Sequence, residues 1–288
     1  MMKKNKGYWL ILLALLLSLA TIYPTYAWMR DSNKEMSQRL QSKMTPVIML
    51  PGSSASINRF NQLVTLLNQN RKEKHSLLKI QVDPNGKLTY TGSINRNDRQ
   101  PLIVVGFSNN HDGYSNIKKQ AYWFDEAFYQ LSEDYHFRNF VAFGYSNGGL
   151  IWTYWLEHYY HSYDDELNIK RLMTLGSPYN FKENSTKMKT QMYSDFLKYR
   201  KRLPKHLLAY NIYGGESYTS DGLVPENSVL AGKYIFQNQV KSYMAINVTG
   251  DDAQHSSLPQ DTQVVNLFKH YLLDKDKHRL RFKLQPRR

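Results

Sequence analysis

The chain has 288 residues, enough for one large domain, and its 41% hydrophobic and 22% charged composition supplies a core and excludes a mainly disordered polymer. It contains no cysteine, so disulfides, thiolate metal sites and a cysteine nucleophile are excluded, leaving hydroxyls, imidazoles and carboxylates to carry any chemistry. The formal net charge of +14 favours anionic surroundings such as lipid headgroups or acidic cell-envelope polymers, but no nucleic-acid-binding motif accompanies it and nucleic acid is not an expected partner.

The first element is an export segment, residues 1–27. Lys3, Lys4 and Lys6 precede an apolar run from Tyr8 to Tyr23 that is broken only by Ser18 and Thr21 and followed by Pro24. The run is longer than the roughly 7–15 residues of a signal-peptide core and shorter than the roughly 20 that span a bilayer comfortably. A signal anchor and a cleaved signal peptide therefore both stay open. Lysines inside and the remainder outside would satisfy the positive-inside rule, which places the rest of the chain beyond the cytoplasm. Residues 28–45, with Arg30, Asp31, Lys34, Glu35, Arg39 and Lys43, read as a polar juxtamembrane spacer. The folded domain is expected over 46–275, followed by a basic tail at 276–288.

Within that domain, short apolar or β-branched runs alternate with longer amphipathic stretches, the pattern of a mostly parallel sheet with crossover helices on both faces. Strands are expected at Val47–Leu50, Leu77–Val82, Lys87–Tyr90, Leu102–Phe107, Phe140–Phe143, Arg171–Leu175, Leu207–Ile212 and Tyr243–Val248. The clearest helices are Ile57–Leu67, Lys118–Leu131, Gly149–Glu157 and Thr262–Leu273, where apolar residues recur at spacings of three and four. Trp152 and Trp155, three apart, read as core. Thr186–Arg202 places Met188, Met192, Phe196 and Tyr199 on one face of a further helix and lysines and arginines on the rest. It is either a lid over a substrate chain or a helix packed on the sheet.

The strand Phe140–Phe143 runs into Gly144-Tyr145-Ser146-Asn147-Gly148 and then a helix, the G-x-S-x-G pattern of a nucleophile elbow. Such a turn strains the serine backbone and crowds its neighbours, so glycine is required two residues before and two after. Chain order in folds that use this elbow is serine, acid, histidine. Downstream, Asp221 lies in Ser220-Asp221-Gly222-Leu223-Val224-Pro225 after the seventh strand, and His255 lies after the eighth, before the last helix. Asp251 and Asp252 are rival acids in the histidine's own loop. The remaining histidines precede the serine, end the helix after the elbow (His158 and His161) or lie in or beyond the last helix (His270 and His278), and His206 precedes Asp221. Backbone N–H groups of Ser53, in the turn Pro51-Gly52-Ser53-Ser54 after the first strand, and of Asn147 are the expected oxyanion donors. Acyl transfer through Ser146, with no cofactor and no metal, is the chemistry these residues support.

On Leu50-Pro51-Gly52-Ser53-Ser54, Gly106-Phe107-Ser108-Asn109-Asn110, the elbow, Gly176-Ser177-Pro178, Ser220 to Pro225 and His255-Ser256, the chain resembles the membrane-associated cell-surface α/β-hydrolases of Gram-positive bacteria. The resemblance spans roughly Pro46 to Leu273. It implies an α/β-hydrolase fold and a metal-independent lipase- or esterase-like hydrolase with a Ser146-Asp221-His255 triad, acting on a small-molecule or lipid ester. Many relatives in the wider fold carry histidine where Pro51 stands here, which leaves the backbone donor in place but removes an imidazole. An acyltransferase on the same triad and a non-catalytic surface-binding module are the competing expectations.

Overall fold

The computed structural model describes residues 5–216 and 219–273. The expected basic tail at 276–288 therefore lies outside the described residues, as do Lys3 and Lys4. The chain divides into two units, Met1–Ser42 and Lys43–Arg288.

The first unit is one helix, α1 (Asn5–Gln41). Its apolar side chains from Tyr8 to Tyr23 are exposed, and the helix from Gly7 to Gln41 that contains them is long and apolar enough to cross a membrane. The hydroxyls that interrupt the run do not spoil this. Ser18 donates to the Ala14 carbonyl at 2.8 Å, Thr21 to Ser18 at 3.0 Å and Thr25 to Thr21 at 2.8 Å, so none needs an outside partner. The helix does not stop at Pro24. Residues 28–41 contain neither glycine nor proline, and Met, Arg, Lys, Glu and Leu carry the helix on through most of the stretch read as spacer.

The second unit is built on one eight-stranded sheet, in the order β3-β2-β4-β1-β5-β6-β7-β8. The strands are β1 (Val47–Leu50), β2 (Leu77–Val82), β3 (Leu88–Ser93), β4 (Leu102–Phe107), β5 (Asn139–Tyr145), β6 (Asn168–Leu175), β7 (Leu208–Gly215) and β8 (Ser242–Thr249). All pairings are parallel except β2 with β3. Burial explains the order. The unbroken apolar runs of β1 and β4 are fully buried and sit in the middle, covered on both faces, whereas β3 and β8 are largely exposed and form the edges. The tight connection Asp83–Lys87 makes β3 antiparallel, because a parallel return would need a crossover of a dozen residues or more.

Successive residues of a strand face opposite sides, and two cores follow from that alternation. Ile48, Leu50, Ile103, Val105, Phe140 and Ala142 pack under α3 (Tyr114–Tyr135), α4 (Asn147–His158) and α5 (Gln191–Tyr199). Val47, Met49, Val104, Val141 and Phe143 pack under α2 (Asn61–Asn68) and the last helix of the domain, Thr262–Tyr271. Two short helices, α6 (Glu226–Leu230) and α7 (Gly232–Phe236), link β7 to β8, which makes the last helix α8. Trp152 and Trp155 are fully buried among Phe124, Phe128 and Phe140, as expected of core residues.

α5 begins later than its apolar stripe suggests, because the Thr190 side chain accepts the Tyr193 N–H and caps the helix there. Met192 and Phe196 are fully buried against the α4 side of the sheet, whereas Met188 precedes the helix and is 63% exposed.

Candidate active site

β1 is flanked by β4 and β5, so connections leave the sheet in opposite directions at this point and open a crevice at its carboxyl edge. The turns after β1 and β5 face that crevice. Ser146 follows β5 directly and has φ 54° and ψ −124°, a left-handed conformation that costs a non-glycine residue strain. Its surroundings hold it there. The Ser146 N–H donates to the Leu175 carbonyl at the end of β6 (2.8 Å), and its carbonyl accepts from the Gly149 N–H (3.0 Å). The flanking glycines answer to crowding: a Cβ at Gly144 would lie 2.6 Å from the Gly149 Cα, and one at Gly148 would run into the Leu50 carbonyl.

The structure brings Ser146, His255 and Asp221 together across more than a hundred residues of sequence. His255 Nε2 lies 3.1 Å from Ser146 Oγ, and His255 Nδ1 lies 2.7 Å from Asp221 Oδ2. All three side chains are buried, Ser146 and His255 each 7% exposed and Asp221 2%. The other carboxylate oxygen, Oδ1, accepts the N–H groups of Leu223 (3.1 Å) and Val224 (2.7 Å), and the Asp221 carbonyl accepts the His255 N–H at 2.8 Å. The acid is thus fixed from its own loop and fixes the histidine loop in turn. Nδ1 faces the carboxylate, which can only accept a hydrogen bond when ionised, and Nε2 faces the serine hydroxyl. Asp251 and Asp252, the rival acids, are exposed.

The turn carrying Ser53 lies against the same serine. A Cβ on Gly52 would meet Ser146 Cβ at 2.8 Å and Oγ at 3.3 Å, so only glycine lets this backbone come so close. Asn147 is the first residue of α4, where the backbone N–H has no acceptor within its own helix and the helix dipole favours negative charge. Its side-chain amide donates to Asp112 Oδ1 at 2.7 Å.

Residues the sequence did not single out complete the surroundings. Tyr145 donates its hydroxyl to the His255 carbonyl (2.7 Å), with its ring 5.0 Å from the imidazole. Arg59 lies 4.8 Å over that ring and donates to the Ser256 carbonyl (2.5 Å). Burial raises the Tyr145 hydroxyl above its ordinary pKa against the opposing pull of Arg59, so it remains a donor. Tyr145 occupies the variable position of the G-x-S-x-G pattern, and Arg59 falls in the stretch expected to be helical from Ile57 but stands before α2, which begins at Asn61, so neither carries a local signal of a role beside the histidine. Among the described residues no group of three His, Asp or Glu side chains is placed to hold a metal ion.

A mostly parallel sheet with helices on both faces, a strained serine at its carboxyl edge, and a histidine and an acid delivered from later loops define an α/β-hydrolase. The chain belongs to the DUF915 family, described as alpha/beta hydrolases of unknown function, with residues 34–275 matched. It is 51% identical to a protein of Lactobacillus plantarum WCFS1 described as a candidate cell surface hydrolase, over 84% of this chain and 96% of that one, with a TM-score of 0.75. It is also similar to the lin2722 product of Listeria innocua, at 25% identity over 81% of this chain and 96% of that one, with a TM-score of 0.71. Comparison with curated proteins returns no match.

Proposed function

We propose that this protein is an extracytoplasmic serine hydrolase that cleaves carboxylic esters through an acyl-enzyme. The observation that carries the reading is the chain of contacts from Ser146 Oγ through the His255 imidazole to Asp221, at 3.1 and 2.7 Å. In this mechanism His255 Nε2 takes the hydroxyl proton as Ser146 attacks the ester carbonyl. The N–H groups of Ser53 and Asn147 hold the oxyanion, and His255 returns the proton to the leaving alcohol. Asp221 keeps the imidazole in the productive tautomer and stabilises the imidazolium. Water then enters on the emptied side, is deprotonated by His255 and releases the acid. No cofactor or metal takes part.

In this reading α1 tethers the enzyme to the membrane with the domain outside, in keeping with its apolar surface and with the cell surface description of the Lactobacillus relative. Anionic envelope polymers are then natural neighbours for a chain of charge +14. A lid role for residues 186–202 rests on the exposed Met188 rather than on the buried Met192 and Phe196. The test of the activity is a panel of p-nitrophenyl esters from acetate to palmitate, run on the wild type and on Ser146→Ala. Turnover on at least one ester that falls by several powers of ten in the folded variant supports the reading. Equal turnover by both proteins refutes it.

A further inference from the structure

The loop between β4 and α3, residues 108–113, takes no part in the chemistry above, yet it touches both sides of the proposed oxyanion hole. One arm is Asn110. Its carbonyl accepts the Ser54 N–H at 2.9 Å and its side-chain amide donates to the Ala55 carbonyl at 3.0 Å. Ser54 has φ 59°, a conformation a serine holds only when its neighbours impose it, and it directly follows the proposed donor Ser53. The other arm is Asp112. Its Oδ1 accepts from the Asn147 side-chain amide and from the Gly113 N–H, both at 2.7 Å, while its carbonyl accepts from Asn116 Nδ2 at 2.8 Å. Beneath the loop, the buried Gln120 of α3 donates its Nε2 to the carbonyls of Asn109 (2.9 Å) and His111 (3.1 Å).

The two donors follow different strands, β1 and β5, and the separation of their N–H groups has to be held to a fraction of an ångström if both are to reach one oxygen. Sheet pairing fixes the strands themselves, with Leu50 opposite Gly144, but both donors lie beyond the last paired residues. The loop is the element that spans them, with one hydrogen-bonded grip on each and a buried anchor below. We propose that Asn110 and Asp112 are positioning residues of the oxyanion hole, clamping the Ser53 turn and Asn147 at a fixed spacing. The proposal rests on the serine hydrolase reading. It assigns the Asp112 carboxylate an acceptor's task, so an amide oxygen in its place should serve nearly as well.

The test is the saturation kinetics of labelling by a rhodamine-linked fluorophosphonate, which builds negative charge on the phosphoryl oxygen in the same hole and needs no knowledge of the natural substrate. Asp112→Ala is expected to lower the maximal labelling rate about 10- to 100-fold with half-saturation unchanged within about twofold, between full function and loss of a whole donor. Asp112→Asn should recover most of that rate, because its Oδ1 still accepts from Asn147. The double variant Asp112→Ala, Asn147→Ala should be no slower than either single change, since the two act through one bond. A wild-type maximal rate in Asp112→Ala overturns the proposal, and so does an Asp112→Asn variant as slow as Asp112→Ala. If thermal melting shows Asp112→Ala to be unfolded, folded Asn147→Ala carries the test: it keeps its backbone N–H, and a wild-type rate there overturns the proposal. Wild-type protein that the probe does not label removes the hydrolase reading and the proposal together, whereas labelled wild type with normal variants removes the proposal alone.

Discussion

Gly52→Ala places a methyl group against the proposed nucleophile, Ser146. The added Cβ would sit 2.8 Å from Ser146 Cβ and 3.3 Å from its Oγ, where unstrained carbon contacts need about 3.5–4.0 Å. Something has to move by roughly 1 Å. On one side is Ser146, whose strained backbone is tied to β6. On the other is the turn carrying Ser53, joined to β1 at one end and hydrogen-bonded to Asn110 just beyond Ser53. Moving either one changes the distance between the proposed nucleophile and its proposed oxyanion donor, and a displacement of about 1 Å at a reacting centre can cost about 10²-fold. Ester turnover should therefore fall about 10²-fold. Overpacking of this kind costs about 1–3 kcal/mol of stability, and a domain of this size loses about 2–4 °C in Tm for each kcal/mol. The assay pairs kcat on the best ester of the panel with a thermal melt. Wild-type kcat and Tm in Gly52→Ala would mean that the turn after β1 does not rest on Ser146, and the placement of the oxyanion hole would fall with it.

Asp221→Asn should lose on the order of 10⁴ in kcat by presenting the wrong imidazole tautomer, the magnitude known from the serine-protease case. Asp251→Asn and Asp252→Asn, whose side chains are exposed, should stay close to wild type in the same ester assay. Glu157 on α4 is fully buried, and neither carboxyl oxygen has a hydrogen-bond partner among the described residues; burial, opposed by Arg202 and aided by Asp195, holds its pKa well above the ordinary 4.5. The folded state thus binds this proton more tightly than the unfolded one, and its stabilising contribution is complete below about 4.5 and lost as pH rises through the folded-state value. Glu157→Gln should accordingly melt higher than wild type at pH 8, with the gap closing towards pH 4.5, and a gap that widens on acidification would reverse the argument. Met192→Ala should cost about 2–5 kcal/mol in urea unfolding, as for other fully buried side chains, and a negligible loss would mean that α5 lifts off the sheet in solution.

The sequence made all eight strands of the sheet legible, the central ones because buried runs such as Leu102–Phe107 have no other use in a chain of this polarity, and the exposed edges β3 and β8 by their β-branched and aromatic residues. The elbow was legible for a different reason: the crowding that demands glycine at 144 and 148 is local and leaves a fixed spacing. The positions of Asp221 and His255 followed from strand order, since both lie beyond the carboxyl ends of strands. Strand neighbours did not follow, nor did the reach of α1 past Pro24, where helix propensity rather than hydropathy decides the boundary. Least legible were the contacts that hold the site in shape. Arg59 on the Ser256 carbonyl, Asn110 on Ser54 and Asp112 on Asn147 are hydrogen bonds between loops 35 to 197 residues apart, or from a side chain to a distant backbone, and no period or motif encodes them. The stretch Gly106 to Asn110 stands out in the sequence only by resemblance, and the role proposed for Asn110 comes from where the fold places it.

The most direct test of the account is the site of covalent capture. Full-length protein in membranes is treated with a fluorophosphonate, digested, and the adduct located by mass spectrometry. The account predicts a single adduct on Ser146, absent in Ser146→Ala and reduced by several powers of ten in rate in His255→Ala, because the serine is activated only through the imidazole 3.1 Å away. An adduct on another residue, or labelling of Ser146 at an undiminished rate without His255, would contradict it.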